Sequence, residues 1–141
     1  MLVVDASVAC KWLVQEIDSN RAVRLLHAAT AMVAPDLVVT EVANALWRKV
    51  RSREVDIGHA IEALDNLGKF LSELVPGAQL GRQALAIAHE LNHPVYDCMY
   101  LALAVQREAS VVSADARLIQ KVSGTKWAGQ VVALHTYPAE G

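Results

Sequence analysis

The 141-residue sequence has little of what marks secreted, membrane or disordered proteins. Its two cysteines, Cys10 and Cys98, form no C-x-x-C pair, which argues against a disulfide framework or a zinc site and gives neither thiol a function. Only seven glycines and four prolines accompany 54% hydrophobic residues, so disorder has little support. The N-terminus lacks the basic and long apolar regions of a secretory signal, and no apolar run approaches the roughly 20 residues of a membrane span. We therefore expect a cytoplasmic protein without membrane association, forming one domain over residues 1–141.

Strong charge and the common phosphate-binding loops are also missing. A formal net charge of −2 argues against a protein whose whole surface attracts nucleic acid, although it leaves room for a local basic patch. The sequence contains no G-x-x-x-x-G-K-[ST] loop and no G-x-G-x-x-G turn for nucleotides. The D-x-D signature of aspartyl-phosphate phosphatases is absent because position 7 is serine. These absences disfavour nucleotide-binding and phosphatase functions.

Short apolar segments alternate with amphipathic ones along the whole chain. Strands are predicted at 2–4, 32–35, 72–76, 110–113 and 131–134. Helices are predicted at 7–14, with Ser7 as N-cap, and at 20–31, 37–53, 57–71, 79–92, 96–109 and 114–122. Such alternation predicts an α/β domain whose mainly parallel sheet is covered on both faces.

Four acidic residues fall where such a fold gathers its ligand-binding groups. Asp5 ends the first strand and Asp115 follows the fourth, whereas Glu41 and Asp97 lie near helix N-termini. Each has a structural explanation when taken alone, as a helix cap or as a charge that complements a helix dipole. Two carboxylates about 4 Å apart repel by about 4 kcal/mol at an effective dielectric near 20, so four acids on one rim require a positive partner. Without a convergent His or Cys set, we expect a hard divalent cation such as Mg²⁺ or Mn²⁺.

Four segments together resemble a known family. "LVVDASVACKWL", "PDLVVTEVANALWR", "PVYDCMYLALA" and "VVSADARL" are similar, in order and spacing, to the acidic motifs of PIN-domain nucleases, and most of all to VapC-type toxins. The resemblance implies a three-layer α/β/α fold with a five-stranded parallel sheet in the order 3-2-1-4-5. It also implies a Mg²⁺- or Mn²⁺-dependent endoribonuclease of a toxin-antitoxin pair, with RNA as substrate and a cognate antitoxin as inhibitor.

The same resemblance assigns roles to particular residues. The catalytic and metal-binding acids it implies are Asp5, Glu41, Asp97 and Asp115. Ser7 and Ser113 match positions where a small hydroxyl lies beside the acids, and they are expected to contribute to substrate binding. Some relatives carry another acid or amide after the fourth motif, whereas Arg117 and Leu118 follow here, which leaves the number of metal ions open.

Further residues are candidates for substrate and partner binding. Asn44 and Arg48 follow Glu41 at helical spacing and are expected to face the acids and bind substrate. Trp12, Leu46 and Trp47 are expected in the core, yet the apolar excess of so short a chain also suggests a homodimer or an antitoxin-binding groove.

Two other functions compete with the nuclease. "HELNH" at 89–93 matches the H-E-x-x-H motif of zinc peptidases, with Glu90 as general base, although Pro94 disfavours the helical conformation that His93 needs to align with His89. A catalytically silent PIN-like module that binds RNA or protein is the other alternative. Retention of all four acids favours the enzyme.

Overall fold

Five short strands form one parallel sheet at the centre of the fold. The computed structural model describes residues 1–28 and 30–137, so the last four residues of the predicted domain lie outside it. The strands are β1 (Leu2–Val4), β2 (Met32–Pro35), β3 (Glu73–Val75), β4 (Ser110–Ser113) and β5 (Val131–Ala133). All neighbouring pairs are parallel, and the order β3-β2-β1-β4-β5 confirms the expected topology.

Helices cover the sheet in two layers. The α-helices of the described residues are α1 (Ala6–Leu13), α2 (Ser19–His27), α3 (Leu37–Arg51), α4 (Ile57–Asn66), α5 (Gly81–Leu91), α6 (Val95–Arg107) and α7 (Ala116–Val122). Helices α1 to α4 pack against one another, and α5 packs along α6, which itself contacts β1, β2 and β4. The three-layer α/β/α architecture is thereby confirmed. In the part of the chain that the structure describes, no helix has both the length and the apolar character needed to cross a bilayer.

The middle of the sheet explains why the first acid stands where it does. Strands β1 and β2 are buried along their whole length, as expected of a parallel sheet covered on both faces. Val4 of β1 pairs with Val112 of β4, so Asp5 follows one strand beside Ser113 at the end of the other. Because the strand order reverses between β1 and β4, their carboxyl ends form the crevice in which open α/β sheets bind ligands.

Several helix ends differ from their predicted positions. Asp5, and not Ser7, is the N-cap of α1, because its extended backbone brings the carboxylate over the Val8 amide while Ser7 is already helical. Helix α2 ends at His27 instead of reaching position 31, since Ala28 has extended backbone angles; Ala29 lies outside the described residues. The predicted helix over 57–71 stops at Asn66 and continues as a 3₁₀ turn, Leu67–Lys69.

Candidate active site

Asp5 is a buried carboxylate at the carboxyl end of β1. Only 6% of the residue is exposed, and its Oδ1 accepts the Val8 amide at 3.2 Å. Its pKa is raised from 3.8 to about 6, mainly by burial. The charge of Asp115 acts in the same direction, whereas the hydroxyl and amide donors at its two oxygens oppose the shift. Burial therefore destabilises the ionised form of Asp5, which an additional positive charge nearby would stabilise.

Two serine hydroxyls hold Asp5 and join the ends of β1 and β4. Ser7 Oγ donates to Asp5 Oδ1 at 2.5 Å and accepts the Ala114 amide at 2.9 Å. Ser113 Oγ donates to Asp5 Oδ2 and accepts the Asp115 amide at 3.0 Å. Both expected hydroxyls thus lie against the first acid, and both connect it to the loop after β4. Hydrogen bonds to a carboxylate are stronger than neutral ones, so the pair fixes the carboxylate plane.

Glu41 reaches the same region from the second turn of α3. Its Oε1 accepts a hydrogen bond from the Tyr100 hydroxyl of α6 at 2.6 Å. Burial raises the pKa of Glu41, the Tyr100 hydrogen bond lowers it, and the charges of Asp97 and Asp115 raise it further. These effects place Glu41 within electrostatic reach of two other acids.

Asp97 is the third residue of α6 and is held by a histidine. His93 Nε2 lies 2.6 Å from Asp97 Oδ2, and both side chains are partly buried. Asp97 is therefore not the N-cap of its helix, a place taken by Pro94. Its position near the helix start still favours a negative charge.

Asp115 caps α7, as the structural explanation of this residue predicted. Its Oδ1 accepts the Arg117 amide at 2.9 Å. Its charge nevertheless raises the pKa of both Asp5 and Glu41, so the cap also belongs to the acidic group.

An open cavity of about 410 Å³ lies in front of these acids. Five of the expected site residues line it: Ser7, Glu41, Asn44, Arg48 and Asp115. Asp5 and Ser113 are buried behind its wall, and Asp97 is not among the lining residues. Asn44 and Arg48 are both exposed and line the same cavity as Glu41 and Asp115. The volume suits a ligand of small-molecule or nucleotide size.

A match to a protein-family model identifies the family of this domain. The model described as "PIN domain" matches residues 2–124, which include all four acids and both serines. The chain belongs to the PIN domain family. Proteins similar to this PIN domain include Ribonuclease VapC3 of Pyrobaculum aerophilum, 33% identical over 122 residues that cover 85% of this chain and 93% of that protein. Ribonuclease VapC1 of Mycobacterium tuberculosis is 31% identical over 118 residues, covering 82% and 86% of the two chains.

Solved structures share the fold of this PIN domain. A crystal structure of a protein from Pyrobaculum aerophilum superposes with a TM-score of 0.72 at 23% identity, covering 96% of this chain and 84% of that one. A toxin-antitoxin complex from Klebsiella pneumoniae contains a chain with a TM-score of 0.65 at 14% identity, with coverage of 95% and 98%. At these identities the likeness concerns the fold alone.

The donor chemistry of the PIN domain site fits a hard divalent cation. Carboxylate and hydroxyl oxygens are what Mg²⁺ and Mn²⁺ prefer, and burial, together with the charges of neighbouring acids, raises the pKa of Asp5 and Glu41. Within residues 1–28 and 30–137, however, no three acidic, histidine or cysteine side chains lie close enough together to hold a metal ion. The tight cluster expected from the sequence is thus not formed. Each carboxylate is instead held by hydrogen-bond partners of its own.

The zinc-peptidase alternative is not supported by this geometry. Helix α5 ends at Leu91, and Asn92 adopts a left-handed conformation with φ 51°, so His93 does not continue the helical face of His89. The His93 ring is engaged with Asp97 instead. The expected effect of Pro94 on this motif is therefore confirmed.

The buried cysteines contribute no nucleophile. Cys10 lines the cavity, yet burial raises its pKa to about 12. Burial likewise raises the pKa of Cys98 to about 11. Thiols with pKa values this high are protonated near neutral pH and are therefore poor nucleophiles.

Four residues of the site were missed by sequence reasoning. Lys11 and Glu16 line the cavity, His93 holds Asp97, and Tyr100 holds Glu41. Helical spacing carried a signal for two of them, since Lys11 follows Ser7 by four residues and Tyr100 follows Asp97 by three. The ion pair between Glu16 and Lys49, 3.0 Å long, has no such local signal.

Proposed function

We propose that this PIN domain is a divalent-metal-dependent endoribonuclease that acts in the cytoplasm as the toxin of a toxin-antitoxin pair. The observation that carries the proposal is the open cavity at the carboxyl ends of β1 and β4, which is lined by Glu41, Asp115, Asn44 and Arg48 and has the buried Asp5 beside it. The names of the two ribonuclease relatives agree with this activity.

The site residues have different proposed roles in phosphodiester hydrolysis. Asp5 and Asp97 would hold Mg²⁺ or Mn²⁺, with Glu41 and Asp115 completing the set. Such an ion, when bound, lowers the pKa of a water and neutralises charge that develops on the scissile phosphate. Ser7 and Ser113 keep the Asp5 carboxylate in one orientation, so that little reorganisation is needed.

Arg48 and Asn44 are the proposed contacts to the RNA backbone. Of the basic residues at this end of α3, Lys49 pairs with Glu16 and Glu54, and Arg51 lies over the Trp47 ring. Arg48 forms no ion pair or side-chain hydrogen bond with another described residue and opens into the cavity, so its guanidinium is available for a phosphate.

The experiment is a cleavage assay of structured and single-stranded RNA with Mn²⁺ added or chelated. Wild-type protein is expected to cut only with metal, and Asp5→Asn and Asp97→Asn are each expected to lower the rate at least a hundredfold. Asp65→Asn, which removes an exposed carboxylate of α4, is the matched control and should cut normally.

Two results would overturn the proposal. Undiminished cleavage by either acid variant would remove the assigned residues from the chemistry. RNA binding without cleavage under any metal condition would favour the catalytically silent module.

We further propose a protein antitoxin as partner and a homodimer as the assembly. The toxin-antitoxin complex of the Klebsiella pneumoniae neighbour motivates the first part. Exposed apolar side chains supply surface for both contacts. Six large ones are more than half exposed, namely Ile17, Trp47, Ile57, Ile61, Leu85 and Tyr96. Light scattering after gel filtration tests the dimer, and a monomer at micromolar concentration would contradict it.

A further inference from the structure

The hydrogen bond between Tyr100 and Glu41 joins two helices at the acidic site. Tyr100 is 1% exposed and lies among the residues of α6 that face the sheet, whereas Glu41 projects from α3 into the cavity wall. Fifty-nine residues separate them in the chain. The buried hydroxyl thus holds the carboxylate of a cavity-lining residue without lining the cavity itself.

The geometry leaves Glu41 with one fixed and one available oxygen. Oε1 accepts the hydroxyl at 2.6 Å, a short charge-assisted bond, and Oε2 has no side-chain or backbone donor among the described residues. A glutamate has three rotatable bonds, so an unheld carboxylate would sample several positions at the cavity wall. Fixing one oxygen restricts the positions that the carboxylate can take at the cavity wall.

The placement of Tyr100 also links Glu41 to Asp97. Both Tyr100 and Asp97 belong to α6, three residues apart, and the Asp97 charge is close enough to raise the pKa of Glu41. One rigid helix therefore carries one acid and the group that positions another. A displacement of α6 would move both together.

We propose that Tyr100 is a positioning residue that holds Glu41 in the orientation required to bind the divalent cation. The inference rests on the proposed function, since it assumes that Glu41 is a ligand. Donors that hold ligating carboxylates in this way typically change metal affinity by about tenfold or more when removed. The opposing explanation is that Glu41 merely satisfies a buried phenol.

Replacement by phenylalanine separates the two explanations. Tyr100→Phe removes one oxygen atom, and we expect the Mn²⁺ dissociation constant, measured by calorimetry, to rise about tenfold. RNA cleavage should fall at limiting Mn²⁺ and recover at saturating Mn²⁺, while KM for RNA stays unchanged. Tyr137→Phe removes the same group from a partly exposed tyrosine that lies outside α6 and does not line the cavity, and it is expected to leave Mn²⁺ affinity unaltered.

A double-mutant cycle shows whether the hydroxyl acts through Glu41. In a Glu41→Gln background, Tyr100→Phe should cause no further loss of Mn²⁺ affinity. Should Tyr100→Phe fail to fold, the wild-type protein provides a second measurement: the hydroxyl proton resonance of Tyr100 is expected to shift on saturation with Mg²⁺.

The failures of the two proposals are distinguishable. Equal or tighter Mn²⁺ binding by Tyr100→Phe, or an unmoved hydroxyl resonance, would overturn the positioning role while wild-type binding and cleavage persist. A wild-type protein that binds no Mn²⁺ and cuts no RNA would overturn the proposed function and the positioning role with it.

Discussion

At the scale of single residues, the acids and their serines follow from the sequence, but their partners do not. Asp5 directly follows one buried apolar segment and Ser113 ends another, so their place at the sheet edge was predictable. The bonds from Tyr100 to Glu41 and from His93 to Asp97 depend on how α6 lies against the sheet and on where α5 ends. Those are tertiary properties, which local patterns do not encode.

Asp5 makes the stability of the metal-free protein depend on pH. Its pKa is about 6 when folded and 3.8 when unfolded, so between these values the folded state binds more protons and stability falls as pH rises. The difference corresponds to up to about 3 kcal/mol. Asp5→Asn lacks this titration, and we expect its stability relative to wild type to improve by about 2 kcal/mol between pH 4.5 and pH 7.5, since part of the effect has already developed at pH 4.5.

Urea unfolding with a chelator present, at both pH values, measures this effect. Asp65→Asn, an exposed acid, should show a nearly constant difference from wild type. A constant difference for Asp5→Asn as well would mean that Asp5 ionises normally in the folded state.

At the scale of elements, strands were predicted more accurately than helix ends. All five strands fall within one residue of their predicted bounds because short apolar runs in a parallel sheet are buried whole. Helix ends are set by caps and backbone angles that depend on neighbouring elements. Asp5 shows this, since its carboxylate captures the Val8 amide and moves the start of α1 ahead of Ser7.

Glu108, at the C-terminal end of α6, has an unfavourable backbone conformation that a substitution can relieve. Glu108 is the C-cap in a left-handed conformation, φ 51°, where glycine is preferred, and its negative charge opposes the helix dipole. Glu108→Gly is expected to stabilise the protein by about 1 kcal/mol. Glu108→Ala relieves only the charge, so its gain should be smaller, as thermal unfolding can show. A larger gain from alanine than from glycine would contradict the backbone explanation.

At the scale of the whole molecule, the order of the strands and helices along the chain was the main basis for predicting the fold. The βα alternation predicts a parallel sheet covered on both faces, and the resemblance of the four motifs to the PIN family implies the strand order that the structure shows. Trp47 illustrates what does not follow: expected in the core, it is 54% exposed, with Arg51 over its ring, because α3 turns that face outward. Which face of a helix is left uncovered depends on packing among α1 to α4.

The global stability should respond to Mg²⁺ in a pH-dependent way. A ligand that binds only the folded state at one hundred times its dissociation constant adds about 2.7 kcal/mol of stability. Cation binding requires ionised carboxylates, and the pKa of Asp5 is about 6 while that of Glu41 is also raised. Protons therefore compete with the metal at pH 5, and we expect a fixed Mg²⁺ concentration to raise the melting temperature clearly at pH 7.5 and little at pH 5. In Asp5→Asn the increase should be small at both pH values, and an equal increase in wild type and variant would place the cation away from these acids.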